Sequence, residues 1–161
     1  MEITQQADYA IRAVLELALH PQDARLFSNE IARRQNIPAP FLTKIFARLA
    51  AAGIVTTQRG VNGGIRLTRP ADQVTLLQVV EAIDGPITLN RCVRSPEGCA
   101  RRVACVVHPV WLKICSELRT QLHSCHFAML ADDARARESD PASQAICLLD
   151  IQSLGQNQPI G

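Results

Sequence analysis

The stretch from Ser28 to Leu67, SNEIARRQNIPAPFLTKIFARLAAAGIVTTQRGVNGGIRL, decides how this chain folds. Ser28 can cap a short helix running to about Gln35. Ile31 stands at the third helical position, where a capping box would need Glu or Gln, so the cap is a simple one. Asn36-Ile37-Pro38-Ala39-Pro40 then makes a turn, and its prolines suit the start of another helix. In that helix Phe41, Ile45, Leu49 and Ala52 recur at core spacing, with Leu42 and Phe46 widening the apolar face. Thr43, Lys44, Ala47 and Arg48 are left outside, and Gly53 is a natural C-terminal cap. A short helix, a turn and a second helix with a basic outer face make a helix–turn–helix. Two strands follow, Ile54 to Arg59 and Ile65 to Thr68, around Gly60-Val61-Asn62-Gly63-Gly64. Asn-Gly with a further glycine supplies the positive φ angles of a tight hairpin, which here reads as a wing.

Working outward, the charge agrees. From Arg25 to Arg69 there are eight basic residues and one acid, Glu30, although the whole chain carries only +2. Such a run is usually a solvated face. On a helix–turn–helix it makes double-stranded DNA the expected partner. Thr43 and Lys44 are placed to read bases or nearby phosphates, and Arg33, Arg34 and Arg48 to hold backbone. Arg59, Asn62 and Arg66 would grip phosphate or a minor groove from the wing.

Before this stretch, Thr4 can cap a helix to about His20 with Ala7, Ala10, Ile11, Val14, Leu15 and Ala18 on one stripe. After it, Thr75 can cap a helix from Leu76 to about Asp84, ended by Gly85-Pro86, and Ile87 to Leu89 reads as extended. The longest helical pattern runs from Val110 to about Leu130. Its Trp111, Cys115, Leu118, Leu122, Cys125 and Met129 alternate at four and three residues, the spacing of a pairing seam, and a homodimer is expected. The fold is therefore expected to be mainly α with a small β wing. Residues 1–86 form a winged helix–turn–helix domain, 87–109 a cysteine loop, 110–132 a dimerisation helix and 133–161 a flexible tail. The apolar run Ala145 to Ile151 in that tail finds no assignment.

No apolar run is long enough to span a bilayer and no signal-peptide pattern follows Met1, so a cytoplasmic protein is expected. Disulfides are rare there, and six cysteines point to metal or redox chemistry. Cys115 and Cys125 fall on the seam, where free cysteine acts as a small buried hydrophobe, and Cys147 is in the tail. Cys92, Cys99 and Cys105 differ. They share one polar loop, CVRSPEGCARRVACVVH from Cys92 to His108, with Arg91, Arg94, Arg101 and Arg102 around them. Positive charge favours the thiolate that a metal requires. Spacing alone leaves three readings open: an iron–sulfur cluster, a Cys₃His zinc site, and bare thiols acting as a switch. No phosphate loop, nucleophile–base pair or carboxylate pair is found, so an enzyme is not expected. A small iron–sulfur redox protein is the alternative from another class, but it leaves the basic winged module unexplained.

Asp8-Tyr9-Ala10-Ile11-Arg12-Ala13, Arg59-Gly60-Val61-Asn62-Gly63-Gly64-Ile65-Arg66-Leu67, and three spaced cysteines before a long helix resemble the IscR/NsrR/RirA-type family of bacterial winged-helix regulators. The resemblance covers about residues 1–132. It implies a homodimeric transcription factor with one iron–sulfur cluster per subunit on the three loop cysteines. Iron supply, oxidants or nitric oxide would control DNA binding through the state of that cluster. Cys105-Val106-Val107-His108 looks like the cluster-assembly regulator, whose histidine completes a [2Fe–2S] site. Asp8 looks like the nitric-oxide sensor, whose first-helix aspartate completes a [4Fe–4S] site in the partner subunit. The expectation is His108 and [2Fe–2S], with Asp8 and [4Fe–4S] as the alternative. The gap between Cys92 and Cys99 is one residue longer than in the cluster-assembly pattern.

Overall fold

Thr4 caps the first helix as the sequence predicts: in a computed structural model its hydroxyl accepts the Ala7 N–H at 3.2 Å, and α1 spans Gln5–Ala18. The structure describes residues 3–60, 63–95, 97, 99, 101 and 104–139. After α1 come α2 (Ser28–Arg34), α3 (Ala39–Ala51) and an antiparallel hairpin of β1 (Val55–Gln58) and β2 (Gly64–Leu67). A 3₁₀ turn leads into α4 (Leu76–Asp84), α5 (Arg91–Arg94), α6 (His108–Ser124) and α7 (Phe127–Ser139). The arrangement is the expected winged helix–turn–helix in a mostly helical chain.

The core forms around α1. Its Ala7, Ala10, Ala13, Val14 and Leu17 are buried against Ile31, Leu42, Ile45, Leu49, Ile54 and Val79. Four alanines on this helix let α3 and α4 approach its backbone closely, so α1 is covered on nearly every side. In the hairpin, Val55 pairs with Leu67 and Thr57 with Ile65, which turns Val55, Ile65 and Leu67 inward. Leu26 joins this small sheet as an isolated bridge to Ile65, with backbone bonds of 3.0 and 2.9 Å. Gly63 is required at the wing turn, because a Cβ there would lie 2.3 Å from the Gln58 carbonyl oxygen. Thr75 caps α4 with a full capping box, sharing hydrogen bonds with Gln78.

Several details differ from the sequence reading. α2 begins one residue early, with Phe27 at the cap position and no side-chain cap bond, so Ser28 is helical. Phe41 is exposed rather than buried and meets Tyr9 edge-on at 5.4 Å between ring centroids. Ala52 is exposed as well; the buried face of α3 is Leu42, Ile45, Phe46 and Leu49.

The largest difference lies in the long helix. The expected continuous run from Val110 to Leu130 is broken at Cys125-His126. The Cys125 carbonyl accepts the Leu76 N–H at 2.8 Å, and the Phe127 N–H donates to the Val74 carbonyl at 2.9 Å. Backbone pairing with the segment ahead of α4 thus replaces helical bonding, and Thr75 and His126 form an antiparallel bridge. Phe127 and Ala131 then bury against the α1 core, and α7 continues through residues 133–139. Residues 140–161, with Ala145–Ile151 and Cys147, lie outside the described residues. No helix among the described residues is long and apolar enough to cross a membrane.

Candidate functional site

α3 presents Thr43, Lys44 and Ala47 to solvent, because the opposite face is committed to the core. Phe27, Ser28, Thr43, Ala47, Arg59 and Gly60 line one open groove between α3 and the wing. Arg33, Lys44 and Arg59 are exposed and enter no ion pair among the described residues. Arg66 stands opposite Thr56 on β2 and is half-buried, and its Nε has no hydrogen-bond partner among the described residues. Asn62 lies outside the described residues.

The other two expected backbone contacts are engaged inside the chain. Arg48 donates from Nη1 to the Ile83 carbonyl at 2.9 Å, tying α3 to the last turn of α4. Arg34 donates to Glu16 at 3.0 Å and to Glu30 at 2.8 Å. Sequence alone gave Glu16 no role. Its only signal is the i, i+4 series Asp8, Arg12, Glu16, His20, a polar stripe on a helix that is otherwise apolar. Arg12 on this stripe holds Asp8, stacks over Tyr9 at 5.0 Å, and donates to the Gln35 carbonyl at 3.2 Å.

The cysteine loop begins on α5. Asn90 caps that helix, its Oδ1 accepting the Val93 N–H at 3.3 Å and the Cys92 thiol at 3.2 Å. Cys92, Cys99 and Cys105 are free and half-buried. His108, the first residue of α6, is buried, and its Nδ1 has no partner among the described residues. Among the described residues no three Cys, His, Asp or Glu side chains are gathered tightly enough to hold a metal. Asp8 is likewise not grouped with the thiols. The donor set still fits a soft metal centre in its chemistry: three thiols in one loop and, three residues after the last of them, an imidazole whose Nδ1 has no partner among the described residues.

The last turn of α4 connects this loop to the rest of the chain. Glu81 accepts hydrogen bonds from Arg119 on α6 and, at 3.1 Å, from the Ile87 N–H that opens the loop. Two residues on, the Ile83 carbonyl holds Arg48. Cys115 on α6 is buried, and its sulfur accepts the Leu89 N–H at 3.4 Å.

The seam expected on α6 is divided. Cys115 is buried, and Leu118 and Leu122 pack inward against Leu77, Val80 and Ile87. Val107, Val110, Trp111 and Ile114 form a second stripe that is exposed.

Comparison with known proteins agrees with this architecture. A family model named Rrf2, described as an iron-dependent transcriptional regulator, matches residues 3–133. The HTH-type transcriptional regulator IscR of Aliivibrio salmonicida is 30% identical over 138 residues, covering 86% of this chain and 82% of the relative. The regulator of the same name from Photobacterium profundum is 31% identical over 138 residues, covering 86% and 80%. Among solved structures, T. potens IscR superposes with a TM-score of 0.66 at 24% identity, covering 85% of this chain and 91% of that one. CymR (YrzC), the global cysteine regulator of B. subtilis, gives 0.66 at 23%, covering 82% and 97%.

Proposed function

The chain belongs to the Rrf2 family of transcriptional regulators, and from that premise we propose that it is a homodimeric sensor whose operator affinity is set by an iron–sulfur cluster on Cys92, Cys99 and Cys105. That the protein is a DNA-binding regulator and not an enzyme follows from the family. The finer reading is carried by one observation: three free, half-buried thiols in one loop, followed three residues on by a buried histidine whose Nδ1 has no partner among the described residues. His108 would be the fourth donor, with Asp8 as the alternative, and the cluster is [2Fe–2S] in the first case and [4Fe–4S] in the second. When bound, such a cluster supplies a centre sensitive to iron supply, oxidants and nitric oxide.

The chain's own residues supply the connection to DNA. Arg119, Ile87 and Arg48 all meet the last turn of α4, so a change in the loop is felt by both α6 and α3. Thr43 and Lys44 read the major groove, and Arg33, Arg59 and Arg66 with Asn62 hold phosphate. The exposed stripe of Val107, Val110, Trp111 and Ile114 is the dimer surface, and two winged modules then address two half-sites about 34 Å apart.

The test is Cys92→Ala, Cys99→Ala and Cys105→Ala, each purified without oxygen and assayed for iron, sulfide and operator affinity. Each variant should lose iron and shift in affinity. Variants that keep both iron and wild-type affinity overturn the proposal. A second reading, a thiol switch without metal, is favoured by the three loop thiols' being free and half-buried. It predicts no iron or sulfide in the wild type, and an operator affinity that changes on oxidation and recovers on reduction.

A further inference from the structure

Glu16 is the only buried carboxylate among the described residues, 4% exposed on the last part of α1. A carboxylate is kept out of water only when it is paired and fully hydrogen-bonded. Here Oε1 accepts from Arg34 Nη1 at 3.0 Å and meets His20 Nε2 at 3.2 Å, while Oε2 accepts from Gln35 Nε2 at 2.6 Å. Burial by itself pushes its pKa up. The bonds from Gln35, His20 and Arg34, with the Arg34 charge, outweigh this and hold the carboxyl below its ordinary value.

Two of these donors sit where the helix–turn–helix bends. Arg34 is the last residue of α2, Gln35 is its C-terminal cap, and Asn36 turns the chain with a φ of +50°. The Gln35 carbonyl takes Arg12 of α1, one helical turn before Glu16. α1 therefore grips the bend with two side chains, Arg12 and Glu16, through three directional contacts. Apolar packing between α1 and α3 fixes their distance, but it is weakly directional and leaves rotation poorly specified. Charge-assisted hydrogen bonds are strong and oriented.

We propose that Glu16 is a positioning residue for DNA readout: its carboxylate fixes the bend between α2 and α3, and with it the angle at which Thr43 and Lys44 meet the bases. The inference rests on the DNA-binding reading. It withdraws Arg34 from the phosphate contacts and makes it part of the support. Glu30, on the exposed side of Arg34, completes the guanidinium's pairing.

The experiment uses the full chain, an operator recovered by in vitro selection with the wild type, and unrelated DNA of equal length. Glu16→Gln should lower the operator-to-unrelated affinity ratio at least tenfold while affinity for unrelated DNA stays within twofold. Glu16→Asp, which keeps the charge, should recover part of the loss. Arg34→Gln should lower the ratio without changing the salt dependence, and Glu16→Gln/Arg34→Gln should be no worse than the worse single variant, because both act through one contact. If Glu16→Gln does not fold, Gln35→Ala removes a donor and leaves the carboxylate, with the same expected loss of ratio. A ratio within twofold of wild type in the variants that fold overturns the proposal. So does an Arg34→Gln variant whose salt slope falls by about one, the signature of a lost phosphate contact. A wild type that enriches no sequence sinks the DNA reading, and this inference with it.

Discussion

Phe127→Ala tests the break between α6 and α7. If residues 110–130 were one pairing helix, Phe127 would fall midway between the seam residues Cys125 and Met129, on the outer face, and its loss would cost little. In the structure it is fully buried in the chain's own core and fastens α7 to the segment ahead of α4. A buried phenylalanine removes roughly 150–200 Å² from water, about 4–5 kcal/mol at about 25 cal/mol per Å². Alanine retains part of that and leaves a cavity, so the net cost is about 3–5 kcal/mol. Against a typical total of about 5–15 kcal/mol this is a large fraction. For a chain of this length it lowers the melting temperature by roughly 6–20 °C. The assay is thermal unfolding at protein concentrations spanning two decades. The drop should be the same at every concentration, because the lost contact is intramolecular. The absence of a drop, as an outward position on one long helix would give, or a drop that vanishes as concentration rises, would refute the two-helix reading.

Gly63→Ala puts a Cβ against the Gln58 and Gly60 carbonyl oxygens, backbone atoms that cannot swing aside. The wing turn should open and operator affinity should fall roughly tenfold, about 1.4 kcal/mol, with little change in melting; unchanged affinity would remove the wing from the DNA contacts. Ile114→Asp alters an exposed position on α6; sedimentation should show a monomer that still folds, and a persisting dimer would place the interface elsewhere. Glu16 gives a pH prediction. Its folded pKa lies below the ordinary value of 4.5, so its contribution is present above that value and is lost as pH falls through the folded one. Denaturant titrations should show wild type losing stability below about pH 4.5 more steeply than Glu16→Gln; parallel curves would mean that the carboxylate is not preferentially charged in the fold. His20, Arg34, Arg135 and Glu138 share its cleft, so the difference between the two proteins, not the wild-type curve, is the readout.

The winged module was legible because its signals are local. Thr4 and Thr75 cap helices by bonds to residues three positions on, and Gly63 answers a clash within its own turn. The break at Cys125-His126 was not legible, because its cause is backbone pairing with Val74 and Leu76, about fifty residues earlier. A four-three apolar pattern continues through it because Cys125 and Met129 satisfy the spacing whether or not the helix does. The exposure of Phe41 has a similar origin. Its spacing fits the core face, but Tyr9 meets its ring edge-on and leaves it partly in solvent.

The basic stretch shows most clearly what a charge count can and cannot decide. Eight cations against one acid gave the correct partner class, since the long-range field depends on net charge and not on which side chains touch DNA. The count could not say which cations are available. Arg34 holds Glu16, Arg48 holds the Ile83 carbonyl, and Arg69 donates to the Gln73 carbonyl and to Gln78. Each binds an acceptor distant in sequence or on a turn, and Arg34 and Arg48 stand in positions that a helical wheel would leave outside. On the proposed reading, the same three arginines that enlarge the field set the geometry in which Arg33 and Arg59 meet the backbone. Neutralising one of the first group should cost specificity more than affinity, and one of the second group affinity more than specificity. Arg33→Ala supplies the contrast with Arg48→Ala: the Arg33 variant should bind all sequences more weakly and lose about one unit of salt slope, while the Arg48 variant keeps its slope and loses discrimination. If both lose slope equally, Arg48 leaves the α4 carbonyl when DNA binds, and the clamp between α3 and α4 does not persist in the complex.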